Sequence, residues 1–139
     1  MIYRTEIHEY LKMCFQTTYG KSDDVLIHSK IDKLVEFIND GKAYVFGAFV
    51  EDVMIGFLWG YPVKGPFETV FHIAYIAVAE QGREKGTGSK LVSVAEKHAR
   101  THGIHHVELI VGVDNHNALE FYTVMGYGQD RCIMRKRIK

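Results

Sequence analysis

A glycine-rich turn between a predicted strand and a predicted helix is the segment of this sequence best suited to chemistry. A run of apolar residues ends at Val78, and Gly82, Gly86 and Gly88 follow as an amphipathic helix begins at Thr87. The first N–H groups of a helix have no partner inside it and carry partial positive charge. Glycines let a ligand approach the main chain closely. The turn therefore predicts a site for a phosphate-bearing ligand.

Two basic side chains add to this prediction, whereas two common nucleotide motifs fit the turn poorly. Arg83 and Lys85 place formal positive charge beside the glycines. A P-loop needs a second glycine where this chain has Thr87, counted from Gly82. A dinucleotide fingerprint needs a third glycine where this chain has Leu91. The ligand is therefore expected to carry phosphate without being held by either motif.

The elements that position this turn follow from the spacing of apolar residues. Apolar positions that recur every three or four residues predict helices, and runs of β-branched and aromatic residues predict strands. Helices are expected at residues 6–19, 30–40, 87–102 and 115–125, and strands at 43–50, 53–61, 70–78, 107–113 and 132–138. Residues 62–66 are expected to form a loop. Glu51 and Asp52 join two strands, either in a tight turn or in a longer loop, since this dipeptide is not a favoured hairpin turn.

Composition describes an ordinary globular chain and excludes several classes of protein. The 139 residues form one domain, 1–139, and 17 basic side chains balance 17 acidic ones. No excess charge predicts a nucleic-acid or membrane partner. The longest apolar stretch, 43–61, carries Glu51 and Asp52 in its middle, which disfavours a membrane span. Cys14 and Cys132 lie far apart without ligand spacing, so a reducing, cytoplasmic location is predicted.

Two segments resemble motifs of the GNAT superfamily of N-acetyltransferases. Arg83-x-x-Gly86-x-Gly88 looks like the family's (Q/R)xxGx(G/A) acetyl-CoA motif. The run from Asn115 to Tyr127 resembles the family's N-x-x-A-x-x-F-Y-x-x-x-G-F segment, with tyrosine for the final phenylalanine. The resemblance implies an α/β (α+β) fold of three layers, in which helices flank a central mixed, mostly antiparallel sheet. It also implies an acetyl-CoA-dependent enzyme that acetylates an amine without a metal.

The resemblance further implies how the coenzyme is held. Its pyrophosphate would lie on the N–H groups of six consecutive residues, Glu84, Lys85, Gly86, Thr87, Gly88 and Ser89. Arg83 would brace the turn or contact phosphate. The pantetheine arm would pair like an extra strand with the main chain of Ile76 and Val78. Asn115 would cap its helix, touch the coenzyme, or do both.

Two side chains are candidates for catalysis. Tyr122 matches the family's tyrosine that donates a proton or hydrogen bond to the leaving thiolate, although a helical tyrosine can equally be a packing residue. His72 could remove the proton of the amine, directly or through water. By strict alternation it shares a face with apolar residues, which would also suit a core histidine; these are Val70, Ala74, Ile76 and Val78. Glu51, Glu68 and Tyr75 are weaker alternatives for the base, and ordered water acting without a dedicated base is a further alternative.

Several functional alternatives stay open at this point. The acceptor is expected to be a small amine, with a peptide N-terminus or lysine as the alternative, bordered by loops at 20–29 and 62–68. A coenzyme-A-binding sensor without turnover and a nucleotide-phosphate binder are the rival functions. Trp59 and the other aromatic residues of the hairpin could line the acceptor pocket, pack in the core or form a homodimer patch. Cys14 and Cys132 could serve as nucleophiles, but small buried residues are the simpler interpretation for both.

Overall fold

Two amphipathic helices begin the chain and pack together against one face of a sheet. The computed structural model describes residues 2–83 and 85–139, with α1 at Arg4–Tyr19 and α2 at Asp24–Asn39. The prediction for α1 is confirmed, but α2 begins six residues earlier than expected. The cause is Asp23, whose side chain accepts a hydrogen bond from the Leu26 N–H at 3.1 Å and caps the helix.

Four strands form the mixed, mostly antiparallel sheet that was predicted. They are β1 (Tyr44–Val50), β2 (Val53–Lys64), β3 (Thr69–Val78) and β4 (Val107–Glu108), in the order β1-β2-β3-β4. Only the β3–β4 pairing is parallel. Glu51 and Asp52 form the tight turn, both with positive φ (50° and 68°), and the longer loop is not used. Such a pair of left-handed residues matches the twist of a hairpin.

The predicted loop at 62–66 is wrong in its first half, because β2 continues through Pro62 to Lys64. Pro62 lies opposite Phe71, whose own N–H donates to the His106 carbonyl on the other side of β3 at 2.9 Å. The position occupied by Pro62 therefore needs no N–H for the β2–β3 ladder. β1 has already ended there, since its first residue pairs with Gly60. A proline is tolerated at such an edge position.

A bulge in β3 overturns the predicted face of His72. Trp59 pairs with Tyr75 and Gly60 with Ile73, which leaves Ala74 as an extra residue on β3. The inserted residue reverses the alternation, so His72 does not share a face with Ile76 and Val78. His72 lies opposite Tyr61, which packs on the α1–α2 face, whereas Ile76 and Val78 pack on the other face. The strict-alternation prediction failed because sequence spacing does not reveal a bulge.

Three helices follow the sheet and carry the motif segments. They are α3 (Glu80–Arg83), which was not predicted, α4 (Thr87–Thr101) and α5 (His116–Val124). α4 ends one residue before the prediction. Asn115 caps α5 by accepting a hydrogen bond from the Ala118 N–H at 3.2 Å, as predicted. α4 and α5 cover the sheet face opposite α1 and α2, which gives the three-layer architecture.

Two strand predictions near the C-terminus are corrected. The strand expected at 107–113 is only two residues long, because the chain turns away from β3 after Glu108. The strand expected at 132–138 is absent, and those residues are exposed. A strand requires a neighbouring edge to pair with, and β4 is too short to offer a ladder. None of the helices within 2–83 and 85–139 has the length and apolar character needed to cross a bilayer.

Candidate active site

A groove of about 1480 Å³ opens where β3 and the chain beyond β4 move apart. β4 pairs only with Phe71 and His72, so the rest of the outer edge of β3 has no strand beside it. The segment 109–112 forms the opposite wall, and the C-terminal part of α1 together with α2 covers one side. The groove includes Tyr122, His72, Ile76, Val78, Arg83 and Asn115. Six residues proposed from the sequence are thus brought together.

The helix α4 presents main-chain N–H groups beside this groove that have no acceptor among the described residues. Gly86 is its N-cap, with φ of +73°, and the first N–H bonded back to it is that of Lys90, at 3.1 Å from the Gly86 oxygen. The N–H groups of residues 86–89 therefore have no partner within the helix. The Ser89 hydroxyl donates to the same carbonyl at 2.9 Å, which holds the turn in shape. This arrangement suits an anion approaching the helix axis.

Fewer main-chain N–H groups are available to a ligand than the six that were expected at residues 84–89. The Lys85 N–H donates to the Gly82 carbonyl at 3.2 Å, so it is engaged inside the turn. Lys85 itself is exposed and can still contribute charge. Glu84 lies outside the described residues, and the expectation for it stays a prediction.

The side chain of Thr87 secures the turn to the sheet instead of facing a ligand. It is only 6% exposed and lies inward between Gly82 and Gly56. A Cβ atom on Gly82 would lie 3.1 Å from the Thr87 hydroxyl oxygen, and one on Gly56 would lie 3.4 Å from its methyl group. A Cβ on Gly88 would make only ordinary contact, 3.5 Å from Phe121. Packing against Thr87 therefore explains why residues 82 and 56 are glycines, whereas close approach of a ligand is the remaining reason for a glycine at position 88.

The open edge of β3 directs peptide groups into the groove. The Ala79 N–H bonds to β2 at 2.7 Å, so by alternation the peptide groups of Ile76 and Val78 point away from β2. Their carbonyls are engaged: Arg83 Nε donates to the Val78 oxygen at 3.1 Å, and Cys14 Sγ donates to the Ile76 oxygen at 3.5 Å. Arg83 therefore braces the turn, one of its two expected roles. The N–H groups of Ile76 and Val78 are left for an extended ligand.

Tyr122 reaches the groove from α5 and is protonated at neutral pH. Its side chain is 8% exposed, and its ring makes edge contacts with Phe121 (5.0 Å) and Tyr127 (5.5 Å). Burial, with a smaller contribution from Cys14, raises the pKa of Tyr122 to about 12. A simple thiol has a pKa of about 8.5 and is the stronger acid. Tyr122 is therefore suited to donating a hydrogen bond to a thiolate instead of transferring its proton completely.

His72 is held in a defined orientation by Glu108. Its Nδ1 lies 3.1 Å from Glu108 Oε2, and its side chain is 15% exposed beside the ring of Tyr61. A carboxylate only accepts hydrogen bonds, so Nδ1 carries the proton and Nε2 of the neutral imidazole keeps its lone pair. Sequence reasoning missed Glu108, since only the parallel pairing of His72 with Glu108 brings the two together. The pair has the arrangement of a base and its orienting group.

The alternative bases are less well placed. Glu51 lies in the hairpin turn, and Glu68 is bonded to His106 at 3.0 Å; neither lines the groove. Tyr75 does line it, but burial, followed by Tyr19 and Cys14, raises its pKa. The loops expected to border the acceptor at 20–29 and 62–68 are likewise outside the lining, where helix residues of α1 and α2 stand instead.

Cys14 lies nearer to the site than the sequence suggested. It is half-buried, lines the groove and contacts Ile76, whereas Cys132 is exposed. Burial raises the pKa of the Cys14 thiol to about 11, and the main chain of Ile76 only partly offsets this rise. A thiol that stays protonated is a poor nucleophile. Among the described residues no group of three or more metal-ligating side chains lies close together.

Comparisons with known proteins agree on one family. The family model described as "Acetyltransferase (GNAT) family" matches residues 4–127. A mycothiol acetyltransferase of Paenarthrobacter aurescens (strain TC1) is 27% identical over 90 residues, which are 63% of this chain but only 28% of that protein. A Pyrococcus furiosus structure described as an acetyl transferase has 25% identity and a TM-score of 0.79, over 98% of this chain and 94% of the other. An aminoglycoside acetyltransferase from an uncultured soil metagenomic sample, solved with sisomicin, shares the fold (18% identity, TM-score 0.73, 97% and 88% coverage).

Proposed function

The chain belongs to the GNAT acetyltransferase family, and from that basis we propose that it moves the acetyl group of acetyl-CoA directly onto an amine. One observation carries the proposal. One groove combines the open edge of β3, a protonated Tyr122 and a histidine oriented by Glu108, and its lining includes Arg83, which shortly precedes the main-chain donors at the start of α4.

The described residues fit the coenzyme along its length. Bound acetyl-CoA would supply an activated acyl group as a thioester. The N–H groups of residues 86–89 would hold its diphosphate, with Lys85 adding charge. The N–H groups of Ile76 and Val78 would pair with the amides of the pantetheine arm, in the manner of an added strand.

The chemistry requires one base and one hydrogen-bond donor. An ammonium ion has no lone pair, so the acceptor must first lose a proton. His72 Nε2 takes that proton, directly or through a water molecule, while Glu108 keeps the ring in the productive tautomer. The amine nitrogen then forms a bond to the acyl carbon, the carbon–sulfur bond breaks, and the nitrogen releases its second proton to solvent to give the neutral amide. Tyr122 donates a hydrogen bond to the departing thiolate, which afterwards takes a proton from solvent.

Direct transfer is favoured over an acetylated enzyme because the thiol in the groove is poorly reactive. Cys14 is the cysteine that lines the groove within the described residues, and burial keeps it protonated. Double-reciprocal plots of the initial rates, measured while both substrates are varied, should give intersecting lines. Incubation with acetyl-CoA alone should leave the intact mass unchanged. Parallel lines together with a mass increase of one acetyl group, lost in Cys14→Ala, would contradict direct transfer.

A screen of amines tests the activity itself. Release of free thiol from acetyl-CoA, confirmed by mass spectrometry of an acetylated amine, is the expected result for at least one small amine. Peptide substrates form a second arm of the screen, because a protein or peptide N-acetyltransferase is the alternative. Binding of acetyl-CoA without transfer to any acceptor would favour the rival function, a coenzyme-A-binding sensor. A reducing compartment such as the cytoplasm is part of the proposal, as the two cysteines are unpaired; a homodimer stays a prediction that light scattering can check.

A further inference from the structure

We propose that the acceptor is an amine that also carries an anionic group, a carboxylate or a phosphate. The inference rests on the proposed function, because it names the acceptor class for the same groove. The feature behind it is the part of the groove beside α2, which we call the lysine wall and define as Lys30, Lys33 and Lys42. It faces aromatic residues of β2 and β3, among them Trp59 and Tyr75.

The lysine wall carries positive charge that the protein does not neutralise. No carboxylate of the described residues lies within 4.0 Å of these three ammonium groups. The one carboxylate among the described lining residues is Asp114, which precedes the cap of α5 on the other wall. Glu108, next to the groove, is engaged by His72. An acceptor with a negative group would complete this side, and a polycationic acceptor would be repelled by it.

One of the three lysines has its ammonium group positioned by a specific contact, and a second has its backbone fixed. Lys30 Nζ lies 5.7 Å from the centroid of the Tyr75 ring, a cation–π contact at the floor of the groove. The N–H of Lys42 donates to the Phe37 carbonyl at 2.7 Å, which fixes the backbone at the end of α2. A ligand therefore meets charge that is partly preorganised.

Trp59 forms part of the apolar surface that faces the lysine wall. Its side chain is 7% exposed, and its indole Nε1 is buried without a hydrogen-bond partner among the described residues. A buried donor left unpaired is costly, and indole N–H can only donate. Trp59 lines the groove and its ring lies 5.1 Å from that of Tyr75, over which Lys30 is placed. Because less than 1 Å² of Nε1 is accessible, a ligand in the groove would contact the face of the indole ring and not its N–H.

The lysine wall is separate from the expected diphosphate site. Tyr75 points to the α1–α2 face, while the phosphate turn follows the end of β3. From Tyr75 to Val78 the strand rises by about 10 Å, and α3 comes before the donors of α4. The wall also assists the reaction, since neighbouring positive charge lowers the pKa of the acceptor ammonium and favours the nucleophilic free amine beside His72.

Matched pairs of amines, each differing only in an anionic group, test the inference. An amino sugar is compared with its phosphate ester, and an α-amino acid with its amide; an aminoglycoside serves as the polycationic arm. The anionic member should have the higher kcat/KM, by about 10- to 100-fold for three partly exposed cations. The preference should shrink as salt is raised, because such charges are screened. Comparing the two pairs decides between carboxylate and phosphate.

Charge-reversed lysines provide the controls. Lys33→Glu combined with Lys42→Glu should remove most of the preference by raising KM for the anionic amine, with KM for acetyl-CoA unchanged. Lys64→Glu reverses an exposed lysine that does not line the groove and should change neither. A rise in KM for acetyl-CoA alone would assign the wall to the coenzyme and overturn the inference.

Binding measured apart from turnover keeps this inference distinct from the proposed function. Calorimetry with coenzyme A saturating, so that the phosphate turn is filled, should show the anionic amine binding to the wild type and not to the Lys33→Glu/Lys42→Glu variant. Such binding without any transfer would support the acceptor class and refute the acetyltransferase activity. Acetylation of neutral or polycationic amines at equal or higher kcat/KM would refute the acceptor class and leave the activity intact.

Discussion

Replacing Tyr122 with phenylalanine removes one hydroxyl group and leaves the ring contacts with Phe121 and Tyr127 in place. If the hydroxyl donates a hydrogen bond to a thiolate, its loss costs the transition state about 1.5–3 kcal/mol. At 1.36 kcal/mol for each factor of ten, kcat should fall by about 10- to 150-fold. The dissociation constant of acetyl-CoA should stay within about twofold of the wild-type value, because the donors of residues 86–89 are untouched.

The pH dependence of this effect sharpens the test. The pKa of Tyr122 is about 12, so the wild-type hydroxyl stays protonated throughout the range from pH 6 to 10. The ratio of wild-type to variant kcat should therefore be constant over that range, measured by thiol release at saturating substrates. Tyr127→Phe is the matched control: its hydroxyl donates to Glu96 at 2.8 Å, so the loss should lower stability and spare kcat. A Tyr122→Phe variant with kcat within twofold of the wild type would refute the assigned role.

Three further outcomes follow from the structure. Gly86→Val should destabilise the protein by about 1–2 kcal/mol, because valine does not tolerate the left-handed φ at this position, and it should also weaken acetyl-CoA binding. Gly103→Val is the control, since Gly103 has the same φ of +73° at the other end of α4. Melting and calorimetry experiments on this control should show the loss of stability without the loss of binding. His72→Gln should lower kcat by about 10²–10⁴-fold, and Glu108→Gln, which keeps the imidazole but loses the carboxylate that orients it, should lower kcat less. An unchanged kcat in His72→Gln would point to water as the base. Burial among aromatic rings lowers the pKa of His98. The contribution of the neutral ring to stability is therefore present above the histidine pKa of the unfolded chain, about 6.5, and is lost as the pH falls below that value. Melting temperatures should consequently fall less steeply between pH 8 and pH 5 in His98→Gln than in the wild type.

The parts of the fold that local signals determine could be predicted from the sequence. The strand–turn–helix around Gly86 and the cap at Asn115 depend on residues close together in the chain, and both are confirmed. The bulge at Ala74 and the shortening of β4 depend on pairing between distant segments, so apolar spacing did not reveal them. The prediction of a strand at 132–138 failed for the same reason, because a sequence pattern shows the propensity to form a strand but not whether a sheet edge is available for pairing.

The same distinction holds for the candidate site. The turn and Tyr122 were found because they belong to local motifs. The orienting contact from Glu108, the approach of Cys14 to Ile76 and the lysine wall opposite Trp59 arise only when α1, α2 and β4 assemble around β3. No spacing rule connects residues so far apart in sequence.

Calorimetric titration of acetyl-CoA and of S-acetylpantetheine, which lacks the diphosphate, tests most directly whether main-chain donors at residues 86–89 hold the coenzyme. Two phosphate groups bonded by charge-assisted hydrogen bonds should make acetyl-CoA bind about 100-fold more tightly or better. Equal affinity for the two thioesters, or no heat with acetyl-CoA, would contradict this placement of the coenzyme.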